Sequence, residues 1–313
     1  MLSKNGACVL FASGAEHFGL DDEVDFYSGT FKCGETSVQY LESVRGKHVI
    51  IVQSFHNAST NNQLMELLLL VDAANRAGAD EVTVILPYFP YGRQDRKPDA
   101  GTPISARVIC DMLRSVHIDR LVSIDLHATQ IQGFMGNDTQ FDHVSSSAFI
   151  AYHLKKALNS TKDLIICSPD AGGVKRAKKL ASFMKVSDFC MIHKVRSGAG
   201  KVSEMSVIGD VHMKKVLIVD DMIDTAGTLS KAVDVLYQKG AIDVMAVATH
   251  GVLTDPAYER LESIKTFLTN TIHICDAPDM ITVFDMGKFI SDLIDKIKNK
   301  EKLSVLFKEW KED

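Results

Sequence analysis

The 313-residue sequence lacks any CxxC pair, although it holds six cysteines, Cys8, Cys33, Cys110, Cys167, Cys190 and Cys275. Their wide spacing fits neither a zinc cluster nor a disulfide framework, and it implies a reducing compartment. An excess of positive charge is also missing. The formal net charge of −5 argues against a nucleic-acid-binding surface as the main function. No apolar run is long enough to span a membrane: the greasiest stretch, 64–74, is broken by Glu66 and Asp72 and reads as a buried helix. The N-terminal MLSKNGACVLFASG turns polar too quickly for a signal peptide. No linker or low-complexity segment divides the halves. What is present is an ordinary hydrophobic fraction of 46%, in a chain long enough for two domains of about 150 residues. The expectation is a soluble, cytoplasmic protein.

The most informative stretch is 216–228, VLIVDDMIDTAGT. Residues 216–219 suit a strand buried on both faces. Asp220 and Asp221 follow as an acidic turn. Asp224, Thr225, Ala226, Gly227 and Thr228 then lead into a helical pattern. Small residues at a helix start leave backbone N–H groups bare at its positive end, which suits a phosphate monoester. Carboxylates beside such a site would repel the ligand unless they face hydroxyls or a metal. The implied ligand is therefore a ribose 5-phosphate unit with Mg2+ nearby. The same pattern also fits an acidic strand end followed by an N-cap.

Two passages, beginning at His48 and Lys215, share the order strand, polar loop, helix, Gly-Ala, strand, with Gly78-Ala79 and Gly240-Ala241 as matching helix ends. This suggests a duplicated α/β domain with parallel sheets and sites at the strand C-terminal ends. Other apolar runs end in polar residues. One leads into Asp125 and His127, a second into Asp170, and a third into Lys194 and Arg196. The expected division is 1–145, 146–295, and a tail, 296–313, docking on the first domain.

The segment FPYGRQDRK places Arg93, Gln94, Asp95 and Arg96 in a basic turn suited to a polyphosphate. It also resembles the ATP-binding segment of ribose-phosphate diphosphokinases, the enzymes that make phosphoribosyl diphosphate. Further matches run through nearly the whole chain: QLMELL, PISA, DLHATQIQGF, SPDAGG, IHKVR, VDDMIDTAGT and THG. The chain is similar to the phosphate-dependent, ADP-inhibited class.

That resemblance implies two tandem phosphoribosyltransferase-like domains, each a mainly parallel sheet flanked by helices. It implies transfer of the diphosphoryl group of ATP to the 1-hydroxyl of ribose 5-phosphate, giving AMP. By position, His127 and Asp170 correspond to Mg2+ site residues, with Asp125 behind them. Arg93, Gln94, Asp95 and Arg96 correspond to ATP contacts. Phe31, Cys33, Gly34 and Glu35 correspond to adenine contacts supplied by a neighbouring subunit, so a homo-oligomer, a hexamer, is expected. Asp220, Asp221, 224–228 and Arg196 would hold ribose 5-phosphate. Lys194 and Arg196, at the root of a glycine-bearing loop, 197–203, would stabilise charge during transfer. Phosphate and ADP are the implied effectors. No membrane or nucleic-acid partner is expected.

Several positions depart from the family pattern. Cys33 stands where Asn or Asp is usual, Gly101 where Arg is usual, and Ser145 where an aromatic is usual, while Asn137 and Asp138 lie in a lengthened segment. Two other readings compete with the diphosphokinase. A salvage phosphoribosyltransferase would need neither the RQDRK turn nor a second domain. A non-catalytic paralogue would have lost Lys194, Arg196 or His127, and all three are present.

Overall fold

The computed structural model describes residues 6–56, 59–158, 160–197, 201–306 and 310; for 194–197, 201–204 and 305 only the backbone is described. The chain divides into two compact units. One is Met1–Val144 with Thr271–His273 and Met286–Leu303. The other is Ser145–Asn270 with Ile274–Asp285 and Ser304–Asp313.

The first unit contains β1 (Ala7–Phe11), β2 (Phe26–Thr30), β3 (Thr36–Tyr40), β4 (His48–Val52), α1 (Thr60–Arg76), β5 (Glu81–Leu86), α2 (Ser105–Ser115), β6 (Arg120–Ile124) and β7 (Gln140–Val144). Five strands form a parallel sheet in the order β1-β4-β5-β6-β7, and β2 and β3 form a separate antiparallel hairpin. In β4 and β5 the run of Val and Ile is buried almost without a break. That is the pattern of parallel strands covered on both faces. On α1, Leu64, Leu67, Leu68, Val71 and Ala74 recur at three- and four-residue spacing and are buried.

The second unit contains α3 (Ser147–Ala157), β8 (Leu164–Ser168), α4 (Val174–Met184), β9 (Phe189–Ser197), β10 (Lys201–Ile208), β11 (Lys215–Ile223), α5 (Gly227–Gln238), β12 (Asp243–Gly251), α6 (Ala257–Leu261), β13 (Thr266–Thr269) and β14 (Ile281–Phe284). Its sheet runs β10-β9-β8-β11-β12-β13-β14, parallel except for the edge strand β10, which pairs antiparallel with β9. The helix α7 (Gly287–Lys298) groups with the first unit, where Lys298 Nζ meets Glu23 Oε1 at 2.6 Å.

The two Gly-Ala helix ends are the same motif. Gly78 has φ +85° and Gly240 φ +87°. The amides of Ala79 and Ala241 each donate to the carbonyl five residues back, Ala74 and Leu236, both at 3.1 Å. This left-handed close turns the chain from helix into the next parallel strand in both units.

Two sequence expectations need revision. Asp220 and Asp221 do not form a turn. Strand β11 runs on through them to Ile223 because β12 continues beside it, with Asp220 opposite Ala248 and Met222 opposite His250. Of the described residues in the tail, those up to Leu303 group with the first unit and those from Ser304 on with the second. Trp310 belongs to the second, where its indole packs edge-on against Phe149 at 4.9 Å and Tyr152 at 5.4 Å. An aromatic surface on α3 covers it, and no periodicity in a charged tail signals such a surface.

Candidate active site

The β11–α5 junction carries the phosphate-loop residues. The chain leaves β11 at Ile223, and Ala226 takes a left-handed conformation, φ 56° and ψ 6°, directly before α5. No side chain caps the helix start. The Ser230 amide donates to the Ala226 carbonyl at 2.9 Å, the first turn of the helical ladder. The amides ahead of it, at 227–229, have no acceptor within an α-helix and point forward from its positive end. The loop is braced from behind: Thr254 Oγ1 donates to Asp224 Oδ1, and Arg260 Nη1 donates to the Thr225 carbonyl at 2.8 Å. A Cβ on Gly227 would lie 2.9 Å from that arginine nitrogen, so a larger residue would displace the guanidinium from its bond to Thr225.

The two acids beside this loop have different surroundings. Asp221 is buried, 5% exposed in its side chain, and its Oδ1 lies 3.1 Å from Arg176 Nη1 on α4. Asp220 keeps 39% of its side chain exposed, with Oδ1 3.8 Å from the same nitrogen. Its Oδ1 also accepts from the Asp221 amide at 2.8 Å. Desolvation by the protein packed around its inner side, then the negative charge of Asp221, push the Asp220 carboxyl up to about 8 although its outer edge stays open, with Arg176 pulling it partly back. A carboxylate held in this way gains from any hydroxyl donor or cation that reaches its open side.

Asp170 sits in the loop after β8. Ser168 Oγ donates to the Asp170 carbonyl at 2.7 Å, and the Gly173 amide donates to Asp170 Oδ1 at 3.0 Å. The side chain is exposed. Lys194 and Arg196 lie near the end of β9, opposite Met205 and Val202 of β10, so the strand runs on to Ser197 before the expected loop. Edge pairing, which sequence periodicity does not register, extends the strand through them. Their side chains lie outside the described residues, as do positions 198–200 of the expected loop.

In the first unit, the turn after β5 presents Arg93, Gln94 and Arg96 as exposed residues. It is fixed at both ends: Ser105 Oγ donates to Gln94 Oε1 at 2.5 Å, and Gln130 Nε2 donates to Asp95 Oδ2 at 2.9 Å. Tyr91, at φ +59°, turns the chain and donates its hydroxyl to Asn61 Oδ1 at 2.6 Å. After β6, Asp125 is buried at φ +41°, and its amide donates to the Val144 carbonyl at 2.9 Å. His127 is exposed two residues later. Phe31, Cys33, Gly34 and Glu35 form the exposed tip of the β2–β3 hairpin, closed by bonds from the Phe31 amide to the Glu35 carbonyl and from the Gly34 amide to the Phe31 carbonyl, both 2.8 Å. Phe31 is 58% exposed.

The sequence reading missed Arg176, Thr254 and Arg260. Each acts on the β11–α5 junction from another element, and no local spacing marks it.

Comparison with known proteins draws these parts together. Residues 16–116 match the family model for the N-terminal domain of ribose phosphate pyrophosphokinase. Residues 167–308 match that for the phosphoribosyl synthetase-associated domain. A ribose-phosphate pyrophosphokinase of Campylobacter jejuni is 42% identical over 280 residues, 88% of this chain and 89% of that protein. Ribose-phosphate pyrophosphokinase 1 of Lactococcus lactis is 41% identical over 285 residues, 89% of this chain and 87% of that protein. Among solved structures, phosphoribosylpyrophosphate synthetase from Mycobacterium smegmatis aligns with a TM-score of 0.85 at 34% identity, covering 94% of this chain and 99% of that one.

The chain belongs to the ribose-phosphate pyrophosphokinase family. Its two parallel α/β units are phosphoribosyltransferase-like, as expected from the sequence. The family is generally Mg2+-dependent, so the donor set matters. Among the described residues, no group of three or more His, Cys, Asp or Glu side chains could hold a metal ion. The exposed carboxylate of Asp170 nonetheless fits Mg2+, which keeps several waters and is held by one or two carboxylates together with substrate phosphates. No helix among the described residues is long and apolar enough to cross a membrane.

Proposed function

We propose that this pyrophosphokinase uses the β11–α5 junction to hold ribose 5-phosphate and the turn after β5 to hold ATP. The reaction moves the diphosphoryl group of ATP to the 1-hydroxyl of the sugar, giving 5-phosphoribosyl 1-diphosphate and AMP for nucleotide biosynthesis. The carrying observation is the uncapped start of α5 beside the partly exposed Asp220. Amides of 225–228 take the 5-phosphate, and Asp220 accepts from ribose hydroxyls. Asp221 acts from behind by fixing Arg176, which sets the charge beside Asp220. Arg93, Gln94 and Arg96 take the triphosphate, with Asp95 anchoring their turn.

In the transfer, the 1-hydroxyl gives its proton up to solvent as O1 attacks the β-phosphorus, and the Pα–O–Pβ bridge breaks on the β side. AMP leaves with the bridging oxygen. Lys194 and Arg196, two residues apart on β9, stabilise the charge spreading over the transferred phosphoryl oxygens. His127 and Asp170, with Asp125 behind them, would hold Mg2+, which neutralises phosphate charge when bound.

Phe31, Cys33, Gly34 and Glu35 contact the adenine bound to a neighbouring subunit, which makes the active form a homo-oligomer, a hexamer. The enzyme works in the cytoplasm, with phosphate and ADP as effectors. The test of the reaction is phosphorus NMR of purified protein with ATP, ribose 5-phosphate and Mg2+. AMP and phosphoribosyl diphosphate are expected. ADP with a ribose bisphosphate would refute the reading, since that is single-phosphoryl transfer.

A further inference from the structure

We infer that Ser28 and Glu66 are positioning residues for the nucleotide, holding the β2–β3 hairpin on α1. The inference rests on the proposed role of 31–35 as an adenine contact. Glu66 lies on α1 and is 3% exposed. A buried carboxylate is tolerated only when donors surround it. Here its Oε2 accepts from Ser13 Oγ at 2.5 Å and from Gln53 Nε2 at 2.9 Å. Its Oε1 accepts from the Ser13 amide at 3.4 Å and from Ser28 Oγ at 2.6 Å. Gln53 is itself locked: its Nε2 also donates to the Gln63 carbonyl at 3.1 Å, and its Oε1 accepts from the Gly14 amide at 2.9 Å.

Three of these four bonds come from the body of the unit, and the fourth comes from the hairpin. That fourth bond matters because β2 and β3 share no ladder with the five-stranded sheet. The hairpin is therefore placed by side chains. Phe26, Val38 and Tyr40 pack on the core, and Tyr40 Oη donates to the Leu70 carbonyl at 3.2 Å. Ser28 stands opposite Val38 in the hairpin ladder, two residues before the end of β2. It ties the outer half of the hairpin to a charge that cannot turn away, because every contact to that charge is from a donor. Without it, the tip keeps its fold and loses its direction.

The test is steady-state kinetics of the assembled enzyme with Ser28→Ala, Ser28→Thr and Phe31→Ala, together with thermal melting. Ser28→Ala should raise the KM for ATP about three- to tenfold, the scale of one charge-assisted hydrogen bond shared with other anchors. Its kcat and KM for ribose 5-phosphate should stay at wild-type values, and melting should fall only slightly, because Ser28 is exposed and water replaces the lost hydroxyl beside Glu66. Ser28→Thr keeps the hydroxyl and should restore the KM. An unchanged KM for ATP in Ser28→Ala, with a raised one in Phe31→Ala, overturns the positioning role alone. An unchanged KM in Phe31→Ala overturns the adenine reading and this inference with it. Lower melting with all kinetic constants shifted together makes Ser28 merely structural, which also overturns it.

Discussion

Removing the Arg176 side chain should destabilise the second unit by an amount the structure lets us estimate. Arg176 Nη1 lies 3.1 Å from Asp221 Oδ1, with side-chain exposures of 20% and 5%. Truncating one partner of a buried ion pair costs about 3–5 kcal/mol, because the other charge stays buried and uncompensated. The arginine is partly open to water, so the lower end applies, about 3 kcal/mol for Arg176→Met. In a domain of this size that is roughly 6–12 °C in melting temperature. Asp221→Asn should cost less, about 1 kcal/mol, because the arginine left behind is partly solvated and has Asp220 3.8 Å away.

The double variant should cost less than the two singles added, leaving a coupling of about 2 kcal/mol. Two units need not melt as one transition, so the readout should be hydrogen exchange at the amides of 216–219, inside β11, alongside thermal melting. Additive effects, or a cost under about 0.5 kcal/mol for Arg176→Met, would show that Asp221 is not held by this pair and would remove the reason for its place in the sheet.

Two further outcomes follow from the same region and its neighbour. The Asp220 carboxyl is raised from 3.8 to about 8 in the folded protein, so its contribution to stability is complete below about pH 4 and is lost as pH rises through 8. Binding of ribose 5-phosphate with Mg2+ at pH 7 should then release a proton. Calorimetry in buffers of different ionisation enthalpy reads this, and wild-type binding without release, or release that persists in Asp220→Asn, contradicts it. Gly101, exposed at φ +81°, offers no cation at the proposed effector site. A missing charge-assisted phosphate contact lowers affinity roughly 10- to 150-fold, so ADP should act mainly by competing with ATP and the phosphate requirement should be shallow. Strong ADP inhibition at saturating ATP, with an absolute need for phosphate, refutes that.

The elements were legible where the code is local. Buried runs of Val and Ile announce β4, β5 and β11, and Gly78 and Gly240 announce the turns that end α1 and α5. The phosphate loop was legible because its small residues and its helix start are contiguous. Partners from distant elements were not. Arg176 and Asp221 are 45 residues apart, and an acid on a strand end says nothing about which face it takes until the register with β12 is known. The length of β9 was hidden for a similar reason: Lys194 and Arg196 are strand residues only because β10 returns alongside them. Glu66 looked like an interruption of a greasy helix, since its donors come from three other segments.

Comparing the two units at corresponding positions explains why only the second was expected to bind a sugar phosphate. Aligned on their strand starts, His48 and Lys215, Gln53 and Ser54 directly after β4 stand where β11, which runs on, carries Asp220 and Asp221. Both neutral residues are buried and already committed. Gln53 donates to Glu66 and Gln63 and accepts from Gly14, and Ser54 Oγ donates to the Thr271 carbonyl at 2.5 Å. A Cβ on Gly14 would lie 1.9 Å from the Ser54 carbonyl oxygen, so the chain after β1 closes directly over this strand end. In the second unit the equivalent strand end keeps an acid 39% exposed beside bare helix amides. The first unit has thus filled with its own groups the place that the second leaves to a ligand. The acid that fills it, Glu66, comes from the helix and faces inward, and its one bond to the hairpin, accepted from Ser28 Oγ, ties that filled site to β2.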